Sequence, residues 1–166
     1  MEHQQLIDHV TSDQFPWYRQ SSQGPESTPS ANTSNPPFFS HMLMARSLDP
    51  NQDGQINSEY YAPFKSIFDS CIPTYKHIYR AAVNCVHSST SIGHSRPHYD
   101  HEFDHNNWIM YLNDSTAHTL LFDQELNIVE RIPAHALTSV SFDRQLHAHE
   151  FPTDNSHRLV VVFTYK

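Results

Sequence analysis

Residues Arg96 to His105 (RPHYDHEFDH) pack three histidines and three acids into ten positions, a density that points to a metal. In an extended chain, residues i and i+2 point to the same side. His98 and Asp100 would then offer an imidazole and a carboxylate to one ion, with Tyr99 turned away. A third ligand from a distant strand would complete a set of two histidines and one carboxylate. Such a set leaves coordination positions open, the arrangement suited to Fe(II) oxygen chemistry. The same stretch contains His101-Glu102-Phe103-Asp104-His105 (HEFDH), which is literally the HExxH pattern of zinc peptidases. That pattern works only on a helix, where residues four apart share a face and the glutamate reaches the zinc-bound water. Pro97 lies just before it, Asn106-Asn107 follow, and strand-like residues flank both sides, so the zinc reading is the weaker one.

Two further features bear on chemistry. Arg158 stands at the head of the apolar run RLVVVFTY. An arginine entering a buried strand is costly without a partner, and its planar fork suits a carboxylate. The bland alternative is an arginine at a solvated strand end. Upstream, Asp49-Pro50-Asn51-Gln52-Asp53-Gly54-Gln55-Ile56 reproduces the front of a calcium-binding EF-hand loop. Position twelve, where a bidentate glutamate must close the loop, is Tyr60, with Glu59 one place early. An Asn/Asp-rich turn is the better reading.

The elements that must position these residues divide the chain near Lys76. Before it, Glu2–Thr11 carries Leu6, Ile7 and Val10 at helical spacing, and Phe39–Ser47 and Ala62–Ile72 are expected as helices. In the last, Phe64, Ile67, Phe68 and Cys71 share a face. Gln20–Pro37 is rich in Ser, Thr, Asn and Pro and reads as a long surface loop, a candidate flap over an active site. After Lys76, the segments HIYRAAVNCV, NWIMYLN, HTLLF, NIVERI, LTSVSF and RLVVVFTY are short, β-branched and aromatic, with Asn, Asp, Pro and Ser between them. This is the pattern of an antiparallel sandwich or barrel, so the chain is mainly β with flanking helices, an α+β arrangement. At 166 residues it is expected to be one domain, with 1–75 as helical and loop support and 76–166 as the β core.

Composition narrows the function classes. The net charge of −8 argues against a nucleic-acid backbone or an anionic membrane surface as partner. No apolar run reaches the length of a membrane helix, and MEHQQLIDHV does not read as a signal peptide, so a cytoplasmic protein is expected. Cys71 and Cys85 lie in apolar segments and read as buried, inert thiols rather than a disulfide. Fourteen histidines raise the prior for a metal site, and only three glycines leave the turns to Asn, Asp, Ser and eleven prolines.

The order of His98-x-Asp100, Tyr111-Leu112-Asn113, Thr119, Phe142-Asp143, His147 and Arg158 resembles the 2-oxoglutarate- and Fe(II)-dependent oxygenases. Within them it is most similar to small prolyl-4-hydroxylase-like members, including phage-borne ones, over Ile78–Lys166. The resemblance implies a double-stranded β-helix (jelly roll). It also implies Fe(II) held by His98, Asp100 and His147, and 2-oxoglutarate as co-substrate, its far carboxylate bound by Arg158 and Tyr111 and its site lined by Thr119. O2 would complete the reaction: decarboxylation of 2-oxoglutarate to succinate, coupled to hydroxylation of a small-molecule or peptide substrate. Asp100 favours hydroxylation over halogenation, because a halide would need the carboxylate's position. The family usually has two glycines before the threonine, where this chain has Thr116-Ala117-His118, so a different turn is expected there. His147 and His149 lie two apart and would face the same side; phasing on Thr153-Asp154 and Arg158 places the ligand at His147. Outside this class, a zinc metallopeptidase and a non-catalytic β-sandwich binding module stay open. The sequence leaves the substrate and the oligomeric state undetermined.

Overall fold

The computed structural model describes residues 3–20, 36–89, 93–154 and 156–166. The expected loop Gln20–Pro37 lies almost wholly outside them. The chain begins with α1 (His3–Val10), followed by β1 (Tyr18–Gln20), β2 (Phe38–Ala45), β3 (Gln55–Ile56) and α2 (Tyr61–Cys71). Seven strands follow: β4 (Ile78–His87), β5 (Asn106–Tyr111), β6 (Ser115–Phe122), β7 (Ile128–Ala134), β8 (Ser139–Asp143), β9 (Leu146–His149) and β10 (His157–Tyr165). They form two antiparallel sheets, a seven-stranded one in the order β1-β2-β4-β10-β5-β8 with β3 on β2, and a three-stranded one in the order β7-β6-β9. This is the expected jelly roll with helices on the outside. No helix among the described residues is long and apolar enough to cross a membrane.

Period-two alternation divides the larger sheet into two working faces. Along β10, Leu159, Val161, Phe163 and Tyr165 join Trp108 and Met110 of β5 and Ala81, Val83 and Cys85 of β4 in the main core. Phe64, Ile67 and Phe68 of α2 and Leu6, Ile7 and Val10 of α1 pack onto that outer face. The alternate residues face inward, and Arg80, Asn84 and Val86 of β4 with Arg158, Val160 and Val162 of β10 line a cavity of ≈ 700 Å³. The same strands therefore carry the outer core on one face and the cavity wall on the other.

Phe68 is the centre of the outer core, stacked on Phe163 at 4.6 Å and edge-on to Trp108 and Tyr165. It is fully buried. Phe68→Ala is expected to lower unfolding stability by about 3–5 kcal/mol, the range for truncating a buried aromatic, as read by chemical denaturation. A loss below about 1 kcal/mol would mean that α2 is only loosely attached.

Three expectations meet different outcomes. Phe39–Ser47 is not a helix: its first seven residues lie in β2, which pairs with β4 from Phe39↔Cys85 to Met44↔Ala81. A register shift between Met42 and Met44 breaks the alternation, and the strand is covered on both faces, so no period of two survives in its sequence. The first 75 residues thus add strands to the sheet as well as supporting it. Second, the EF-hand-like loop is the expected turn, and its carboxylates serve the backbone. Asp49 Oδ1 accepts from Asn51 N, and Asp53 Oδ1 accepts from Ile78 N. Gly54 is required because a Cβ there would sit 2.2 Å from the Ala45 carbonyl oxygen. Third, the cysteines are both free as expected, but Cys71 is exposed and only Cys85 is buried, its thiol pushed up to about 11 by burial.

Candidate metal centre and co-substrate pocket

His98 and His147 are brought together by backbone pairing. The two residues exchange hydrogen bonds, His98 N to His147 O at 3.0 Å and His147 N to His98 O at 3.1 Å, as an isolated antiparallel bridge. The His-x-Asp segment is thus pinned to β9 at one point and is not itself a strand. Asp100 follows in a bend, and the ligating atoms of His98, Asp100 and His147 all lie within 4.8 Å of one another. They form the one group of three or more His, Cys, Asp or Glu with metal-binding geometry among the described residues.

The supporting hydrogen bonds select the atoms. His98 Nδ1 donates to Arg96 O at 3.1 Å and His147 Nδ1 donates to Gln145 O at 2.9 Å, which leaves Nε2 of each ring as the lone-pair nitrogen. Asp100 Oδ1 accepts from Arg80 at 3.2 Å, and the Arg46 guanidinium stands 3.7 Å from the same oxygen. Asp100 Oδ2 lies 3.3 Å from His147 Nε2. Burial pushes the Asp100 carboxyl up, but His147, Arg80 and His98 outweigh it and hold it well below the usual carboxylate range. Burial, reinforced by His147, pushes His98 down to about 4, which keeps the imidazole neutral. A neutral imidazole and an ionised carboxylate are the forms a metal requires.

Next to this group, the three residues expected at the co-substrate converge. Thr119 Oγ1 accepts from Arg158 Nη2 at 2.6 Å and lies 2.7 Å from Tyr111 Oη. The Arg158 guanidinium also stands over the Tyr111 ring at 5.4 Å. Arg158 is 3% exposed, its Nε has no hydrogen-bond partner, and among the described residues no carboxylate lies within ion-pair distance of it. A guanidinium buried this deeply without an anion is electrostatically uncompensated.

No family model matches the sequence, and no curated protein is significantly similar to it. The solved structures do match. A 2OG-Fe(II) oxygenase family oxidoreductase from Burkholderia pseudomallei superposes with a TM-score of 0.69 at 11% identity, over 96% of this chain and 76% of that one. A prolyl-4-hydroxylase from Pseudomonas putida superposes with a TM-score of 0.52 at 10% identity, over 98% of both chains. The chain has the oxygenase jelly-roll fold. At these identities the likeness speaks for the fold alone, and the chemistry must be argued from the side chains.

In that jelly roll the HEFDH segment is not helical, so it cannot present the zinc-peptidase face. His101 Nε2 is engaged with Thr164 Oγ1 at 2.8 Å, His105 Nδ1 donates to Phe103 O at 2.8 Å, and Glu102 is exposed. His149 faces the cavity beside His147 but is held against Ser95, whose Oγ lies 3.3 Å from its Nδ1. It stands opposite Thr119 at the Arg158 end and outside the three-ligand group. Reading the sequence missed Arg46 and Arg80, the cations against Asp100. The signal for Arg80 was present: Arg80, Ala82, Asn84 and Val86 alternate along one face of β4.

Proposed function

We propose that the protein is a 2-oxoglutarate- and Fe(II)-dependent dioxygenase that hydroxylates a small molecule or peptide, within the prolyl-4-hydroxylase-like branch that includes phage-borne members. The observation that carries the reading is the pairing of two sites in one cavity: a neutral-histidine and carboxylate group fit for a divalent metal, and a buried, anion-free arginine beside it. Both arrangements are explained by one co-substrate with a metal-binding end and a far carboxylate.

The donor set, two imidazoles and one carboxylate, suits Fe(II). When bound with 2-oxoglutarate and O2, the metal would supply the oxidising power for C–H hydroxylation. The chain's own residues do the rest. His98, Asp100 and His147 fix the ion, and backbone carbonyls and Arg80 fix them in turn. Arg158 and the Thr119–Tyr111 hydroxyl pair take the far carboxylate and set the distance of the co-substrate's other end from the metal. Val160, Val162 and Ile109 line that part of the cavity with apolar surface, which limits water around the reacting groups. The ionised Asp100 occupies the position a halide would need, which supports hydroxylation. The acidic balance of the chain supports a substrate other than nucleic acid.

The test is 2-oxoglutarate turnover. Purified protein with Fe(II) and O2 is expected to release succinate, more so in the presence of the true substrate, and to lose this activity when Fe(II) is replaced by Zn(II). Peptide hydrolysis with Zn(II), and no succinate under any condition, would contradict the proposal.

A further inference from the structure

The cavity has two cationic ends. On adjacent strands Arg158 pairs with Val86 and Thr164 pairs with Arg80, so Arg80 lies six residues along the wall from Arg158. At about 3.3 Å per residue the two backbone positions are roughly 20 Å apart, and the Arg80 guanidinium reaches back to Asp100 Oδ1 at 3.2 Å. Asp100, and with it the metal-binding group, lies between. The cavity lining carries Arg46, Arg80 and Arg158 against Asp100 and, at the exposed rim, Glu102.

Arg80 and Arg46 crowd one oxygen. Arg80 donates to Asp100 Oδ1 at 3.2 Å, whereas Arg46 at 3.7 Å is too far for a hydrogen bond and makes only a charge contact. Each guanidinium carries five N–H groups, and side-chain exposures of 29% for Arg46 and 14% for Arg80 leave donors open to the cavity. A metal dication on Asp100 would draw off the carboxylate's charge and leave both cations short of an anion. On the same wall, Asn84 Oδ1 accepts from Ser40 Oγ at 2.8 Å, which turns the amide NH2 of Asn84 to the cavity as a further donor. Met42, Phe103 and the 87% exposed Leu48 supply apolar surface around this end.

Building on the oxygenase reading, we infer that Arg46 is the substrate anchor and that the substrate is a carboxylate-bearing molecule with an apolar body. Arg80 keeps its bond to Asp100 and orients that ligand. Arg46 turns its fork to the incoming carboxylate, and the apolar body lies along Met42, Leu48 and Phe103. The bound carboxylate offsets one of the two positive charges at that end of the cavity, and the body of the molecule is directed toward the metal.

The probes are hexanoate, hexanamide and hexylammonium, which share a chain and differ in charge. Each is titrated calorimetrically into the protein held anaerobically with Fe(II) and saturating 2-oxoglutarate, a state recognised by its visible charge-transfer band. Hexanoate is expected to bind about tenfold or more tightly than hexanamide, the worth of one charge-assisted contact. Hexylammonium is expected not to bind, and Arg46→Gln to remove the preference for the acid. Equal binding of acid and amide, no binding of hexanoate, or an undiminished preference in Arg46→Gln would overturn the inference. The ranking in the unsubstituted protein decides the matter should Arg46→Gln fail to fold. A protein that forms the band but shows no charge preference loses only this anchor, whereas one that never forms the band loses the oxygenase reading and the anchor together.

Discussion

Arg158→Met is expected to make the apo-protein more stable and, at the same time, nearly unresponsive to 2-oxoglutarate. The two effects have one cause. Arg158 is buried against the Thr119 hydroxyl and Tyr111 with its Nε unsatisfied, and burial pushes its pKa down. Replacing a poorly compensated buried charge by an apolar chain of similar length stabilises proteins by about 1–4 kcal/mol. Losing a charge-assisted bond to a desolvated carboxylate removes a few kcal/mol of binding, so the 2-oxoglutarate requirement should rise by more than tenfold while metal binding survives. Thermal melts with and without 2-oxoglutarate and metal read both: the apo midpoint rises, and the co-substrate shift seen in the unsubstituted protein disappears. A lower midpoint with a normal shift would mean that Arg158 is a structural residue.

Asp100→Ala is expected to abolish metal retention and 2-oxoglutarate decarboxylation, and also to weaken the fold. The carboxylate is the counter-charge for Arg80 and Arg46 as well as a ligand. Both guanidiniums are partly solvated, so their loss of a partner should cost about 2 kcal/mol, between the values for exposed and buried pairs. His98→Ala should match it in metal loss with less electrostatic destabilisation, because the one hydrogen bond of the His98 ring goes to a backbone carbonyl and Arg80 and Arg46 keep Asp100 as partner. Metal analysis after desalting, together with denaturation curves, separates the two. Full iron retention in Asp100→Ala would remove this residue from the metal centre.

How far the sequence revealed this molecule depends on which physical signals are local. In β10 the continuous apolar run from Leu159 marked a buried strand with Arg158 at its head, but no alternation in it showed that Arg158 faces the cavity rather than solvent. In β2 the bulge at Met42–Met44 and cover on both faces erased the alternation, and the residue types Met, Leu and Ala pointed to a helix. β9 was missed because it is four residues long and buried throughout, so His147 and His149 had no pattern to place them. The bridge between His98 and His147 is a long-range pairing that brings these two residues together with Asp100, which a spacing of two could not foretell. Thr119 meets Arg158 and Tyr111 although the glycines usual before it are missing. The register shift between Ser115 and Thr119 in the pairing of β6 with β7 takes up the different turn and keeps Thr119 facing Arg158. The positive backbone φ angles fall on Leu126 and Leu137, which composition alone did not suggest. Arg46 and Arg80 escaped notice because their meaning comes from Asp100, distant in sequence.

The central claim is that one cavity binds a metal through His98, Asp100 and His147 and a 2-oxo acid through Arg158. The direct measurement is an anaerobic titration of Fe(II) and 2-oxoglutarate into the apo-protein, followed by its visible charge-transfer absorption. The account predicts a band that saturates at one equivalent of iron, is absent in His98→Ala and Asp100→Ala, and needs far more 2-oxoglutarate in Arg158→Met. A band that never appears, or one that persists in His98→Ala and Asp100→Ala but is lost on replacing His101 and His105, would contradict it.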